Sequence, residues 1–223
     1  MRGSWQRTLA QHRDSTRGRI LLAAIALMSE EGMAAASMSA IAERAEVSRP
    51  TLYRHFPDID HIMAAVIEEQ FADFRASLEA GMDPSWSALE QLRYLVVAHV
   101  RQYASEPSSL SESAMETGLS PTVREVLERE LRDHHRRLVA ILRSGAEEGS
   151  LRADLDPDLH GELLQHLLGG LRMTVHRRDL DLDLLAEQVS DLVLTGLDAH
   201  DRVRATDQRH NLADLDTDPD TAT

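Results

Sequence analysis

Cysteine and lysine are both missing from this chain of 223 residues. Without cysteine there are no disulfides, thiolate zinc sites or cysteine nucleophiles, so the fold does not depend on an oxidising compartment and a cytoplasmic location is expected. Without lysine, all 24 cationic side chains are arginine, which we interpret mainly as a bias of nucleotide composition in the source.

Long apolar runs are lacking as well. No stretch approaches the ~20 residues that cross a bilayer, and the first 16 residues have no apolar segment of the kind found in signal peptides. The sequence therefore predicts a protein without a membrane partner.

Alternating β-branched residues are also absent, whereas apolar residues recur at helical spacing from Arg17 nearly to the end. Glycine and proline fall mostly between these periodic segments. The pattern predicts an all-α protein of about nine helices. We place them at about 16–31, 38–45, 49–56, 60–81, 85–105, 109–118 (a weaker segment), 121–148, 157–176 and 184–200.

Charge is unevenly distributed along the chain. The net charge is -14, but residues 1–56 hold 8 arginines and 5 acids, whereas residues 57–223 hold 16 arginines and 33 acids. A protein with this distribution can meet a polyanion only through its N-terminal end.

The third helix has a polar face without acidic residues. On a helical wheel Leu52 and Phe56 point together toward a core, which Ile41 and Ala42 of the second helix are expected to brace. The opposite face carries guanidinium, hydroxyl and imidazole groups suited to phosphates and base edges. Its members are Arg49, Pro50, Thr51, Tyr53, Arg54 and His55. Ser37 and Ser39, at the start of the second helix, offer hydroxyls and amides to a phosphate.

The amino-acid sequence of this region identifies a family more specifically than the spacing of its helices does. The run from Gly32 to Phe56, and above all Thr51-Leu52-Tyr53-Arg54-His55-Phe56, resembles the N-terminal signature of the TetR family of bacterial repressors. The resemblance covers about residues 17–74. It implies an all-helical dimer in which three helices bind DNA and the remainder forms a dimerisation and inducer-binding domain. The family positions that usually meet DNA are Ser37, Ser39, Arg49, Thr51, Tyr53, Arg54 and His55.

Two positions depart from the family pattern. Glu46 stands where the turn usually has glycine, which predicts slight strain. Ile59 stands where the fourth helix usually begins with a phosphate-contacting lysine, which predicts weaker or less salt-dependent operator binding.

The domain organisation follows from these segments. We predict a flexible arm over residues 1–16, a helix-turn-helix domain over 17–58, a helical ligand-binding and dimerisation domain over 59–205, and a disordered acidic tail over 206–223. The arginines of the arm either reach a minor groove of DNA or are simply solvated. The second interpretation is favoured.

Two leucine-rich stripes near the end predict a homodimer joined by a four-helix bundle. The expected interface residues are Leu163, Leu164, Leu167, Leu168, Leu171, Leu185, Val189, Leu192 and Val193. The pair Gly169-Gly170 favours a close helix crossing in this region, and the alternative is that the stripes form intramolecular core.

An inducer pocket is expected among the middle helices, with an apolar ligand held by a few polar groups. The candidate contacts are Trp86, Tyr94, His99, Tyr103 and Met115; for each of them an ordinary place in the core is the alternative. Charges along the long helix at 121–148 are interpreted as a solvated face paired at i, i+4. They are Arg124, Glu125, Glu128, Arg129, Arg132, Asp133 and Arg137.

Other chemistries find little support. The neighbouring histidines His134 and His135 diverge on a helix, His160 and His166 are likewise misaligned, and no Glu-x-x-His occurs, so no metal or other cofactor is expected. Neither a Gly-x-Ser-x-Gly element nor a phosphate loop is present, which disfavours an enzyme. The sequence predicts a DNA-binding repressor released from a palindromic operator by a small apolar ligand; an activator or a low-specificity DNA-binding protein is the alternative.

Overall fold

The computed structural model describes residues 15–32, 35–105, 119–177 and 180–198. This part of the chain forms eight α-helices, which confirms the all-α prediction. They are α1 (Thr16–Glu31), α2 (Met38–Arg44), α3 (Arg49–His55), α4 (Ile59–Gly81), α5 (Ala88–Ser105), α6 (Pro121–Glu148), α7 (Pro157–Arg177) and α8 (Leu182–Leu197). The helix expected at 109–118, nearly all of the arm and the acidic tail lie outside the described residues.

Serine caps start the first three helices, as their sequences predict for α2 and α3. The hydroxyls of Ser15, Ser37 and Ser48 accept backbone N–H groups three residues on, at 3.0, 3.2 and 3.3 Å. Gly32 ends α1 with φ 85°, a conformation that glycine adopts without steric cost. The three short elements are therefore defined locally at their ends.

The turn between α2 and α3 carries the strain expected at Glu46. This residue has φ 53°, in the left-handed region that glycine favours. The backbone N–H of the next residue, Val47, bonds to the carbonyl of Ala42 at 3.0 Å and closes the turn. Glutamate thus holds the family's turn geometry at some conformational cost.

The head, α1 to α3, is built on its own apolar core. Ile20 of α1, Ile41 of α2 and Leu52 of α3 are fully buried together, and Phe56 closes the cluster behind α3. The inward positions expected for Ile41, Ala42, Leu52 and Phe56 are therefore confirmed. Three short helices that are marginal alone become one unit through this shared burial.

Helix α4 belongs to two cores at once. Its first half buries Ile62, Ala65 and Val66 against the head. Its second half buries Leu78 in the body core, which α5, α6, α7 and α8 complete. The guanidinium of Arg17 lies 5.1 Å from the ring centre of Phe56 and 4.0 Å from the Glu69 carboxylate, so it also joins α1 and α3 to α4. One continuous helix of 23 residues therefore connects the head to the body.

Some helices begin one or two residues earlier than expected because a capping side chain accepts the first backbone N–H groups. Helix α4 begins at Ile59 because Asp58 accepts the N–H of His61 at 3.0 Å. Helix α8 begins at Leu182, two residues early, because Asp181 accepts from Asp183 and Leu184. It ends at Leu197, where Arg152 donates its backbone N–H to the Leu197 carbonyl at 3.0 Å. None of the helices in the described ranges is long and apolar enough to cross a membrane.

Candidate functional site

The exposed face of α3 is the candidate DNA interface. Arg49, Pro50, Tyr53, Arg54 and His55 are all exposed, and Tyr53 presents 53% of its surface although it is a large aromatic residue. Acidic side chains are absent from α3, whose sequence is RPTLYRH. Two guanidinium groups, a phenol and an imidazole therefore share an open surface braced from behind by Leu52.

The hydroxyls predicted to meet DNA differ in how free they are. Thr51 is half-buried, and its Oγ1 lies 2.8 Å from Ser48 Oγ in the cap of α3. Ser37 is exposed and accepts one N–H as the cap of α2. Ser39, in the first turn of α2, is also exposed. Ile59 packs partly buried against the head core, so the position of the family's lysine carries no charge here.

A cavity of about 60 Å³ lies in the body and is the candidate ligand site. Four helices line it: α4 through Gln70, Phe71 and Phe74, α5 through His99, Gln102 and Tyr103, α6 through Leu131 and His134, and α7 through Gln165, Leu168, Gly169 and Arg172. Sequence reasoning found His99 and Tyr103 and missed the rest. Most of the missed residues lie on α4, α6 and α7, and the sequence does not show that these helices pack around α5.

Two neutral histidines form the inner wall of this cavity. His99 is 3% exposed, and its Nδ1 donates to the Leu95 carbonyl at 2.7 Å. Its ring centre lies 4.9 Å from that of His134 and 4.6 Å from that of Phe74. Burial lowers the pKa of His99 to about 3 and that of His134 to about 4. Both imidazoles are therefore uncharged at neutral pH.

Trp86 and Tyr94 lie together and are not among the residues that line this cavity, so their predicted contact with a ligand stays a prediction. Their ring centres are 5.5 Å apart, and Tyr94 packs over Gly81 and donates its hydroxyl to the Ser77 carbonyl at 3.3 Å. Helical phase keeps Tyr94 out of this lining, because five residues separate it from His99 and turn the side chains about 140° apart. Met115 lies outside the described residues.

The leucine stripes of α7 and α8 divide into an inner and an outer part. Leu164, Leu168, Leu171 and Val193 are buried in the body core, so their expected place in a dimer interface is corrected to an intramolecular one. Leu163 and Leu192 are 57% and 68% exposed, and Leu159 and Leu184 are also exposed. Leu167, Leu185 and Val189 are half-buried at the edge of the core. Sequence periodicity revealed the stripes but not which side faced the chain's own core.

The charges of α6 also need a correction, because several of them contact α4. Arg129 bonds to Glu68 at 2.5 Å, and Arg137 bonds to Glu79 at 2.8 Å. Arg75 of α4 pairs in return with Glu130, which is buried. The pair Arg132–Glu128 at 3.8 Å is of the expected i, i+4 kind. Part of the face interpreted as merely solvated thus fastens α6 to the connecting helix.

The described residues contain no group of three or more His, Asp or Glu side chains placed to hold a metal ion. The rings of His99 and His134 meet edge to face, and the ring of Phe74 packs edge to face on His99. The site accordingly offers hydrogen bonds and apolar walls.

Comparison with known proteins covers both halves of the chain. Residues 20–66 match the family described as bacterial regulatory proteins, tetR family, and residues 85–172 match the tetracyclin repressor-like C-terminal domain. An uncharacterised HTH-type transcriptional regulator of Mycobacterium tuberculosis is 34% identical over 85 residues, 38% of this chain; the chain spans only 45% of that relative's length. The HTH-type transcriptional repressor KstR2 of Rhodococcus jostii is 27% identical over 81% of this chain and 90% of its own.

Solved structures agree with this fold. The transcriptional regulator FadR from Bacillus subtilis, determined in complex with stearoyl-CoA, superposes with a TM-score of 0.68 at 22% identity, over 80% of this chain and 97% of its own. The head with its helix-turn-helix and the helical body both have counterparts in these proteins. The chain belongs to the TetR family of bacterial transcriptional regulators, with a helix-turn-helix head at the N-terminus and a helical C-terminal domain.

Proposed function

We propose that this protein is a repressor that binds a palindromic operator as a homodimer and leaves it when a small ligand enters the body cavity. The observation that carries the proposal is the exposed, acid-free face of α3 with Arg49, Tyr53 and Arg54. It is the cationic end of a chain whose remainder is strongly acidic. Its relatives named KstR2 are transcriptional repressors, which supports the direction of control.

The exposed leucines of α7 and α8 support the dimer. Leu163 on α7 and Leu192 on α8 present apolar surface that the chain's own core leaves uncovered. Beside them Gly170 has open space where a side chain would stand, so a second backbone has room to approach. Two copies of such a surface, related by a two-fold axis, would place two α3 helices in successive major grooves.

Helix α4 supplies the connection between ligand and DNA. Gln70, Phe71 and Phe74 line the cavity on the same helix that buries Ile62 and Val66 in the head. A cavity of about 60 Å³ holds a few water molecules, whereas drug-sized ligands occupy several hundred Å³. A larger ligand would therefore displace α4, and with it the head, because a packed interior does not stretch. Ligand and operator would then favour different positions of the same helix.

Operator affinity should depend on the exposed side chains of α3. We expect Arg54→Ala and Tyr53→Ala each to weaken binding about 10- to 100-fold, since one good base or phosphate contact contributes about 1–3 kcal/mol. Fluorescence anisotropy with the DNA flanking the protein's own gene measures this.

The control for charge alone is Arg132→Ala, which removes an exposed arginine from the middle of α6, in the body. It should leave affinity unchanged. Equal binding by wild type and both α3 variants would rule out α3 as the reading helix. Footprinting then separates a repressor on one palindrome from diffuse, low-specificity binding, and transcription in vitro separates it from an activator.

Dimer formation should depend on the outer leucines. We expect Leu163→Arg and Leu192→Arg each to raise the dimer dissociation constant about 100-fold, because each would bury an unpaired charge in the interface. Sedimentation equilibrium measures the change, and Glu147→Arg, on the exposed surface of α6, is the matched control. If both leucine variants remain as dimeric as the wild type, the interface lies elsewhere.

Ligand-controlled operator binding would place the protein in the cytoplasm beside its DNA. It also requires no catalysis, since both ligand and operator act by binding. The proposal therefore assigns the chain no enzymatic activity.

A further inference from the structure

Two polar atoms in the wall of the cavity have no hydrogen-bond partner. They are Nε2 of His134 on α6 and Oε1 of Gln165 on α7, and both are shielded from solvent. Buried polar atoms are nearly always paired, and leaving one unpaired costs about 1–3 kcal/mol. Two such atoms in the wall of one cavity are the hydrogen-bonding groups that a ligand there could satisfy.

The rest of the wall describes the body of such a ligand. Phe71 and Phe74 of α4 and Leu168 of α7 all line the cavity, so part of its wall is apolar. Gly169 also lines it, and a side chain built there meets no atom within 4 Å. The absence of a side chain on α7 thus leaves room next to Gln165 for an apolar group.

The charges around the cavity argue against an ionic ligand at the His134–Gln165 end. His134 is faced by Arg137, His135 and His99, and burial lowers its pKa to about 4, so it stays neutral. The nearby carboxylates of Asp133 and Glu130 are already paired with arginines. Arg172 lines the cavity two helical turns from Gln165, about 10 Å along α7, with its guanidinium 4.9 Å from the ring centre of Tyr103. A buried anion at His134 would lack a counter-charge, and a cation would share its cavity with a guanidinium.

We propose that the cavity selects an uncharged ligand with an apolar body and one head group that both donates and accepts hydrogen bonds, such as a hydroxyl or a carboxamide, seated between His134 and Gln165. The head group donates to Gln165 Oε1 and accepts from the N–H of His134. Because it names the ligand class of the same cavity, this inference rests on the proposed ligand control.

Aromatic probes of one shape and different head groups test this selection. Benzyl alcohol, toluene, benzoate and benzylamine are titrated into the full chain at about pH 7.5, and the imidazole C–H signals of His99 and His134 are followed by NMR. Benzyl alcohol should shift both signals and bind more tightly than toluene, although toluene is the more hydrophobic. Benzoate and benzylamine should leave the signals in place.

Variants connect the preference to the residues named. Gln165→Leu should lower the ratio of the toluene to the benzyl alcohol dissociation constant about tenfold, because it removes one hydrogen-bonding partner and leaves the apolar wall. Gly169→Leu should abolish binding of both probes by filling the cavity. His166→Ala, which changes an exposed residue of α7 beside Gln165 but outside the lining, should bind both as the wild type does. The melting temperature of each variant reports that it is folded.

Three results would overturn the proposal. The first is that the wild type binds toluene more tightly than benzyl alcohol, or that its preference for the alcohol is unchanged in Gln165→Leu. The second is benzoate or benzylamine binding as tightly as the alcohol. The third is the failure of every probe to shift either imidazole. All these readouts are made without DNA, so they are independent of whether the protein binds an operator or releases it.

Discussion

Lowering the pH from about 7.5 to about 5 is expected to reduce the free energy of unfolding by about 4 kcal/mol through His99 and His134 alone. Burial lowers the pKa of these imidazoles to about 3 and about 4 in the folded protein, against 6.5 as the ordinary value. In the unfolded chain both take up a proton as the pH falls below 6.5. In the folded chain both resist it, at about 2 kcal/mol each by pH 5.

The sign of this effect follows from the direction of the pKa change. A histidine with a lowered folded pKa contributes no penalty above pH 6.5, and its penalty grows as the pH falls from 6.5 toward the folded pKa. The groups that surround the two rings reinforce this direction. His99 faces Arg172 as well as His134, while His134 faces Arg137 and His135, so cations approach the pair from more than one side.

Chemical denaturation at several pH values measures the effect. The double variant His99→Gln, His134→Gln should lose most of the decline between pH 7.5 and 5, because glutamine does not titrate. His166→Gln, which removes an exposed histidine of α7, should decline as the wild type does. If the double variant declines as steeply as the wild type, the acid sensitivity does not reside in the cavity wall.

The head could be anticipated closely because its signals are local. Helix α1 begins and ends at the expected residues, Thr16 and Glu31, and the caps at Ser37 and Ser48 are confirmed. Caps, turn residues and short-range periodicity act within a few positions of each other. A sequence therefore carries them in full.

The cavity could be anticipated only in part because its residues meet across helices. His99 was correctly expected to face inward, yet its partner His134 lies 35 positions away and was considered only beside its neighbour His135. Arg129 and Glu68 form a pair over 61 positions. Helical periodicity identifies the apolar face of each helix, but it does not say which other helix packs against that face. That pairing is a property of the assembled core.

Leu52→Ala is expected to destabilise the protein by about 3 kcal/mol, within the range for removing a large aliphatic side chain from a packed core. Leu52 is completely buried between α1, α2 and the start of α4, in a core made of short helices. Few neighbouring side chains can move into the vacated space, because Ile20 and Ile41 are themselves fixed by helices that depend on the same contacts. Urea unfolding followed by circular dichroism measures the loss.

The adjacent residue separates stability from DNA reading. Tyr53 stands one position along α3 with 53% of its surface exposed, so Tyr53→Ala should leave the free energy of unfolding within about 0.5 kcal/mol of wild type while weakening operator binding. Leu52→Ala should lower the free energy of unfolding but leave operator binding intact at low temperature. On warming, it should lose operator binding as the head unfolds. If instead Tyr53→Ala unfolds the head and Leu52→Ala does not, then α3 presents its other face to the groove, and the assignment of Arg49, Tyr53 and Arg54 to DNA fails with it.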